Sequence, residues 1–221
     1  MPLALVTGAA RANSIAAAVV VRLRADGWDV VTSDLEHADY ACDLSTAEGP
    51  VELVDAVTRD HGPLTALVLS HAHGVESGIL DTTAASFDRH VAVNARASLL
   101  LIAALARQVP SAGGAVVALT SDHTTGNLAY GASKGALDRI VISAARELGP
   151  LGISANVVNP GPVDTGWMDD ALRESIVEHQ PLGRLGTTDD VARLVSFLLS
   201  TEGRWVSGQL IQSDGALSAR F

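Results

Sequence analysis

The sequence predicts a single α/β domain over residues 1–221, with a doubly wound parallel sheet of about seven strands and helices on both faces. The chain has 221 residues, enough for one well-buried domain and short for two. Its residues are 48% hydrophobic but only 4% aromatic, so the core is aliphatic, as in parallel strands covered on both faces. Short apolar runs alternate with longer segments of helical period, which is typical of strand–helix–strand units.

Each element follows from one of these runs. Four to seven apolar or β-branched residues between turn residues predict a strand, and apolar positions spaced three and four apart predict a helix. The predicted strands cover residues 3–7, 29–33, 40–42, 66–70, 115–121, 153–159 and 209–212. The predicted helices cover residues 14–25, 47–59, 84–107, 129–148 and 188–199.

Two connections are unusual for such a fold. The segment "DLEHADYAC" after the second strand is too short for a crossover helix, so one edge of the sheet is linked by an abbreviated loop. Residues 160–185 form a long excursion, in which Trp167, Met168, Leu172 and Ile176 recur at helical spacing. The excursion is either an amphipathic helix packed on the domain or a substrate lid.

Composition excludes several classes of function. The net charge is −10, the sequence pI is near 5.0 and no basic stripe is present, so nucleic acid is not an expected partner. No run of 18 apolar residues predicts a membrane span, and nothing resembles a signal peptide. Cys42 is the only cysteine, which excludes an intrachain disulfide and favours a cytoplasmic setting. His71, His73 and His123 lack ligand spacing, and we expect no metal.

The first strand leads into a turn of small residues and then a helix, "VTGAARANSIAAAVV". Gly8 allows close backbone approach, and a helix beginning near Ser14 offers unpaired N–H groups to a pyrophosphate. Ser14 also fits the helix N-cap, which is compatible with that role. Asp34 ends the second strand, where an acid accepts hydrogen bonds from the adenosine ribose and repels a 2′-phosphate. NAD is therefore favoured over NADP, although Arg11 in the turn favours NADP weakly.

Tyr130 and Lys134 lie four residues apart in "AYGASKGAL", which puts them on one helix face. A free phenol has a pKa of about 10, so it needs help to act as a base at neutral pH. A lysine one turn away stabilises the phenolate and lowers that pKa. Alone the spacing is unspecific, but it gains weight from the nucleotide turn before it and "NPGPVDTGW" after it.

With these motifs in order, the chain resembles the short-chain dehydrogenase/reductase family over nearly its whole length. The resemblance rests on the turn after the first strand, Asp34, Asp43, Asn94, "YGASK" and "NPGPVDTGW". It implies a Rossmann-like domain that binds NAD(P) and moves hydride between nicotinamide and a carbonyl or secondary alcohol. It also implies a homo-oligomer, a dimer or a tetramer, formed through the two long alanine-rich helices.

The resemblance carries over to individual residues. Tyr130 would be the acid/base, with Lys134 lowering its pKa and holding the nicotinamide ribose. Asn94 would anchor a water of the proton relay, and Ser121 would orient the substrate oxygen. The implied cofactor contacts beyond Asn94, Tyr130 and Lys134 are Gly8, Arg11, Ser14, Ile15, Asp34, Asp43, Leu44, Ser70, Ala72, Pro160, Gly161, Val163 and Thr165.

The chain departs from the family pattern in three places. "SHAHG" replaces the usual "NNAG" after the fourth strand, so only backbone and small volume are offered there. Ser121 precedes Tyr130 by nine positions, fewer than usual, which makes Thr124 and Thr125 alternatives for its role. The turn "GAARANSIA" is similar to that of enoyl reductases, whereas the Tyr130–Lys134 spacing follows the ketoreductase pattern. The abbreviated edge is locally similar to NAD-dependent hydroxysteroid dehydrogenases.

The sequence therefore predicts an NAD-preferring oxidoreductase acting on a small-molecule carbonyl or secondary alcohol, in the manner of 3-oxoacyl thioester reductases. The first alternative is an enoyl-thioester reductase, which the cofactor turn favours. The second is a non-catalytic nucleotide-sensing protein on the same fold, but such a protein has no need of a tuned phenol.

Overall fold

The sheet has seven parallel strands in the order β3-β2-β1-β4-β5-β6-β7. The structure is a computed structural model that describes residues 1–123, 125–166 and 168–219. In chain order the strands are β1 (Leu3–Thr7), β2 (Asp29–Asp34), β3 (Tyr40–Ala41), β4 (Ala66–Leu69), β5 (Gly114–Leu119), β6 (Ile153–Asn159) and β7 (Leu210–Gln212). The predicted Rossmann-like α/β class is confirmed.

Helices cover both faces of the sheet. They are α1 (Ile15–Ala25), α2 (Gly49–His61), α3 (Ala84–His90), α4 (Ala97–Gln108), α5 (Leu128–Glu147), α6 (Asp170–His179) and α7 (Thr188–Leu199). Helices α1 and α7 pack together on one face, while α2, α4 and α5 cover the other. Successive strand residues point to opposite faces, so Leu5 lies in one core cluster and Val6 in the other. Both are fully buried, as a sheet covered on two sides requires.

The strand and helix predictions agree with the structure to within two residues at nearly every boundary. The abbreviated edge is confirmed, because β3 has two residues and follows β2 through a short loop without a helix. The excursion of residues 160–185 contains α6, whose residues are all at least partly exposed. Met168, just before α6, is buried. Trp167 lies outside the described residues.

The predicted helix of residues 84–107 is not continuous. A π-helical segment, Val91–Arg96, separates α3 from α4. One extra residue per turn rotates the following helix face, and such bulges occur mostly at functional sites. Asn94 lies inside this segment, and Ser98 donates a hydrogen bond to its carbonyl oxygen at 3.0 Å. The segment therefore fixes the direction of Asn94.

The same stretch, Ala84–Gln108, is long and apolar enough to cross a membrane by those two criteria alone. Its most apolar window is 56% buried inside the domain. Helix α4 packs against α2 and α5, and Leu101 and Leu105 are fully buried in the core. The apolar character of this helix is thus explained by the core of the domain.

The strand order reverses direction between β1 and β4, since β2 and β3 lie on one side and β4 to β7 on the other. At such a switch point the loops leave the carboxyl ends of the strands in opposite directions and open a crevice. The functional residues predicted above follow the carboxyl ends of β1, β2, β4, β5 and β6. The topology brings them to this edge of the sheet.

Candidate active site

A cleft of about 690 Å³ opens at the switch point. It is large enough for a dinucleotide-sized ligand. Most of the cofactor residues expected from the sequence line it, namely Gly8, Arg11, Ser14, Ile15, Asp34, Asp43, Leu44, Ser70, Ala72, Tyr130, Lys134, Pro160 and Thr165. Four expected residues, Asn94, Ser121, Gly161 and Val163, are not among its lining residues. Thr124 lies outside the described residues, and Thr125 is exposed and does not line the cleft.

The turn after β1 is shaped by Gly8. Its φ of 75° is unfavourable for a side chain, and a Cβ there would lie 2.7 Å from the backbone N and Cα of His71. Any larger residue would push the turn away from the loop after β4. Ser14 caps α1, since its hydroxyl accepts a hydrogen bond from the N–H of Ala17 at 3.0 Å. The turn and this helix N-terminus form a cradle suited to a pyrophosphate.

Asp34 ends β2 at the other side of the turn. Its carboxylate accepts hydrogen bonds from the N–H of Ala10 at 2.9 Å and of Leu35 at 2.8 Å. Both bonds fix the acid beside the cleft, and Glu36 adds a second negative charge to the same wall. Arg11 also lines the cleft and is exposed, as Glu36 is. Two carboxylates and one guanidinium thus border this end of the cleft.

Tyr130 and Lys134 project from the first turns of α5 into the cleft. The Lys134 ammonium lies 5.7 Å from the centroid of the Tyr130 ring. Its Nζ donates a hydrogen bond to the carbonyl oxygen of Leu119 at 2.8 Å, and the residue is only 2% exposed. One of three ammonium donors is thus used by the end of β5, which leaves the others for a ligand. Burial lowers the pKa of Lys134 to about 8.

Burial acts against the lowering of the Tyr130 pKa that the sequence predicts. Burial raises this pKa above its ordinary value of about 10. A phenolate would lose its hydration in the half-buried cleft, which disfavours the charged form. The phenol is therefore the dominant form of Tyr130 at neutral pH.

Asn94 stands behind the cleft wall, fully buried. Its Oδ1 accepts from the N–H of His73 at 2.7 Å, and its Nδ2 donates to the His73 carbonyl at 2.9 Å and to Ser133 Oγ at 2.8 Å. Ser133 in turn donates to the carbonyl of Tyr130 at 2.7 Å. The Asn94 side chain thus ties the loop after β4 to the helix turn that carries Tyr130.

The residue at the end of β5 that reaches the cleft is Thr120 and not the expected Ser121. Thr120 lines the cleft, whereas the Ser121 hydroxyl accepts a hydrogen bond from the N–H of His123 at 3.1 Å. The Ser121 hydroxyl is thus engaged by the backbone two residues further along the chain. Sequence analysis missed Thr120, although its position directly after a buried strand was a usable signal.

The loop after β6 places only part of its expected residues in the cleft. Pro160 and Thr165 line it, but Val163 is buried and pairs with Gly186. Gly161 has a φ of 61°, and a Cβ there would lie 2.5 Å from the Cβ of Asp214. These two residues therefore hold the loop against the body of the domain.

His71 connects three elements beneath the cleft. Its Nε2 donates to the Val93 carbonyl at 3.1 Å, so in the neutral ring Nδ1 accepts from the Thr7 hydroxyl at 2.7 Å. His71 thus links β1, the loop after β4 and the π-helical segment. Burial, with Lys134 nearby, lowers its pKa to about 3. The ring of His73 points elsewhere and packs against His90, with ring centroids 4.6 Å apart.

The buried His71 makes stability depend on acid. Its pKa is near 6.5 in the unfolded chain and about 3 in the folded one, so below pH 6.5 only the unfolded state takes up this proton. Its contribution is present above pH 6.5 and is lost as pH falls toward 3. Because of His71, we expect the free energy of unfolding to be about 2 kcal/mol lower at pH 5 than at pH 7.5.

Urea unfolding at both pH values measures this loss. His71→Gln should show a loss smaller by about that amount, because glutamine does not titrate. Exposed His61 offers the matched control, and His61→Gln should behave as the parent. Equal acid sensitivity of His71→Gln and the parent would contradict the assignment of this loss to His71.

Comparison with known proteins agrees with this geometry. The family model described as Enoyl-(Acyl carrier protein) reductase matches residues 8–218. The oxidoreductase YjdA of Bacillus subtilis is 34% identical over 239 residues, covering 96% of this chain and 95% of its own. A short-chain dehydrogenase/reductase of Armillaria gallica is 31% identical over 249 residues, covering 97% and 95%.

A similar solved structure is that of a blue fluorescent protein from a metagenomic library, in complex with NADPH. It superposes with a TM-score of 0.89 at 28% identity, covering 99% of this chain and 98% of the other. The fold, the cleft at the switch point and nearly full-length similarity to several relatives all agree. The chain belongs to the short-chain dehydrogenase/reductase family of oxidoreductases, which use a nicotinamide cofactor.

Proposed function

We propose that this protein is an NAD-preferring oxidoreductase that moves hydride between nicotinamide and a carbonyl or secondary alcohol, with Tyr130 as the acid/base. The observation that carries the proposal is the pairing of a half-buried neutral phenol with a buried lysine in a dinucleotide-sized cleft. A non-catalytic binding protein gains nothing from a buried ammonium beside a phenol, since burying it costs free energy.

The residues present fit a nicotinamide cofactor. The turn with Gly8 and the N-terminus of α1 would hold the pyrophosphate, Asp34 the adenosine ribose, Asp43 and Leu44 the adenine edge. Lys134 would hold the nicotinamide ribose with its free donors, and Pro160 and Thr165 would border the carboxamide. When bound, the cofactor supplies or accepts the hydride.

Proton transfer falls to Tyr130. Reduction of a carbonyl requires a donor within hydrogen-bond reach of the developing alkoxide, and a neutral phenol meets this need. Thr120 at the cleft wall is our preferred hydroxyl to orient the substrate oxygen; Ser121, Thr124 and Thr125 are the alternatives. Asn94 would act by holding the His73 backbone and the first turn of α5 in place, in addition to anchoring a water of the proton relay.

The substrate site is bounded by small and apolar groups. Gly74 lies against the Tyr130 ring, so that a Cβ there would be 3.6 Å from its Cδ2. Buried Met168 precedes the exposed helix α6 in the excursion of residues 160–185. This environment supports an uncharged, partly hydrophobic carbonyl or alcohol, with the excursion acting as a lid.

The preference for NAD follows from the charge at the ribose end. A 2′-phosphate would approach Asp34 and Glu36, and repulsion between like charges in a cleft costs several-fold to a hundredfold in affinity. The similar solved structure from a metagenomic library is a complex with NADPH, so the fold by itself does not favour NAD. The proposed preference for NAD over NADP is therefore based on Asp34 and Glu36 of this chain alone.

Titration with NADH and NADPH tests this preference. We expect NADH to bind about tenfold tighter or more, and Asp34→Asn to reduce the ratio by about tenfold because it removes the charge and keeps the shape. Glu36→Gln is the control, with a smaller effect, since the Glu36 side chain is 76% exposed and water screens its charge. Tighter binding of NADPH by the parent would contradict the proposal of an NAD preference.

Enoyl-thioester reduction remains the second candidate, since the matching family model carries that description and the turn is similar to that of enoyl reductases. The four-residue spacing of Tyr130 and Lys134 favours ketoreduction. A panel of ketones, 3-oxoacyl thioesters and enoyl thioesters assayed with NADH separates the two. Turnover of enoyl thioesters alone would replace the carbonyl assignment.

We also propose a cytoplasmic homo-oligomer, a dimer or a tetramer, assembled through the long helices α4 and α5. Leu99 on α4 is 48% exposed and Phe87 on α3 is 38% exposed, and such apolar side chains favour burial against another copy. Light scattering coupled to gel filtration gives the mass directly. A monomer at micromolar concentration would contradict this part of the proposal.

A further inference from the structure

The inner face of α5 carries a third ionisable side chain that the proposed function does not use. Asp138 follows Lys134 by one helical turn, so the two share a face. Its Oδ1 is buried and has no hydrogen-bond donor among the described residues. A buried acceptor without a donor lowers the stability of the folded protein, so a function of Asp138 would explain why it is present.

Lys134 supplies the reason for such a role. It is almost completely buried, and its Nζ donates to a carbonyl, that of Leu119, rather than to any carboxylate in the described part of the chain. A buried ammonium without a counter-charge tends to lose its proton. Burial lowers the pKa of Lys134, and Asp138 is the charged group that raises it again. The two thus interact through space.

The other groups around this pair are few. Tyr130 and Arg139 lie on the same helix, and Arg139 is exposed. His71 approaches from the segment after β4 and is neutral near pH 7. Thr120 approaches from the end of β5, and its hydroxyl donates a hydrogen bond to the Lys134 carbonyl oxygen at 3.5 Å. Burial raises the pKa of Asp138, while Thr120, Lys134 and Arg139 lower it. Asp138 is therefore the one acid that faces Lys134 among these neighbours.

We propose that Asp138 is a positioning residue of the active site. Its half-buried carboxylate, with Oδ1 turned away from solvent, supplies the counter-charge of Lys134 without a direct ion pair, and it keeps the ammonium charged and directed into the cleft. The inference rests on the proposed function in one respect, that Lys134 binds the cofactor. Asp138 itself touches neither cofactor nor substrate, and it acts through Lys134 and Thr120.

Asp138→Asn tests the inference because it removes the charge and keeps the shape. NADH affinity and kcat are measured between pH 6.5 and 9.5 for the parent and for this variant. We expect the alkaline loss of both quantities to begin about one pH unit lower in Asp138→Asn, with affinity about threefold to tenfold weaker near pH 8.5. Asp138→Glu, which restores a carboxylate, should recover most of the parent profile.

Two controls separate this role from a structural one. Asp55→Asn on the exposed side of α2 makes the same chemical change away from the cleft and should leave the profile unchanged. Asp138→Ser is a smaller neutral variant for the case that asparagine does not fold. The inference is wrong if the neutral variant has the same pH profile of NADH affinity and kcat as the parent. It is also wrong if both Asp138→Asn and Asp138→Glu lose affinity and kcat by the same factor at every pH.

Lys134→Ala distinguishes failure of the inference from failure of the proposed function. If Lys134→Ala loses NADH affinity while Asp138→Asn follows the parent at every pH, only the inference is wrong. If Lys134→Ala binds NADH as tightly as the parent, the proposed cofactor site is wrong and the inference falls with it.

Discussion

Tyr130→Phe is expected to lower kcat for carbonyl reduction by about two to four orders of magnitude and to leave NADH affinity within about twofold of the parent. The substitution removes one hydroxyl and keeps the ring that packs beside Gly74. The proton donor is then absent, while the cofactor contacts of Lys134 and of the turn remain. Steady-state assays with the best ketone substrate, together with NADH titration, measure both quantities.

The direction of the reaction adds a second result. Burial raises the pKa of Tyr130, so the phenol form dominates at neutral pH. Reduction should then proceed well at pH 7, whereas oxidation of the alcohol should increase as pH rises toward the pKa of the phenol in the complex. In Tyr130→Phe this rise of the oxidative rate with pH should disappear. Turnover of Tyr130→Phe at the parent rate would exclude Tyr130 as the acid/base.

The parts of the fold that sequence analysis predicted best are those set by local chemistry. Strand β6 and helix α7 begin and end where predicted, because a run of seven buried residues and a Thr187 capping box define them locally. The π-helical segment around Asn94 could not be predicted in this way. Its extra residue is compensated by contacts with α5 and with the loop after β4, which lie far away in sequence.

The candidate site divides along the same line. Gly8, Asp34, Tyr130 and Lys134 were predicted because turn geometry, a strand end and helical spacing fix their directions. Which of Thr120 and Ser121 faces the cleft depends on the path of the chain after β5, and the sequence alone does not specify that path. His71 is a further case, since its partners, the Thr7 hydroxyl and the Val93 carbonyl, come from two other elements.

Lys134→Met is expected to separate activity from stability. Methionine fills nearly the same volume without a charge, so the variant should lose about two orders of magnitude in kcat/KM with the loss of the ribose contact. The folded protein should nevertheless gain stability at pH 7. The Lys134 pKa is about 8 in the folded state and near 10.4 in the unfolded one. The protonated lysine therefore lowers the stability of the folded state relative to the unfolded state.

The sign and the pH window follow from those two values. Below pH 8 the charged lysine is buried in full and destabilises the parent; between pH 8 and about 10.4 the folded state has released its proton, and the parent regains stability. After allowance for the hydrogen bond lost at the Leu119 carbonyl and for the counter-charge that Asp138 loses, the unfolding free energy of Lys134→Met should exceed that of the parent by about 1 kcal/mol at pH 7. The advantage should shrink by pH 10.

Urea unfolding at pH 7 and pH 10 measures this difference, and Arg139→Met on the exposed side of α5 is the matched control. A gain in stability with a loss of activity would mean that the ammonium is retained for chemistry, since the fold is more stable without it. A Lys134→Met protein less stable than the parent at pH 7 would instead make Lys134 a structural residue, whose bond to β5 outweighs the cost of burying its charge.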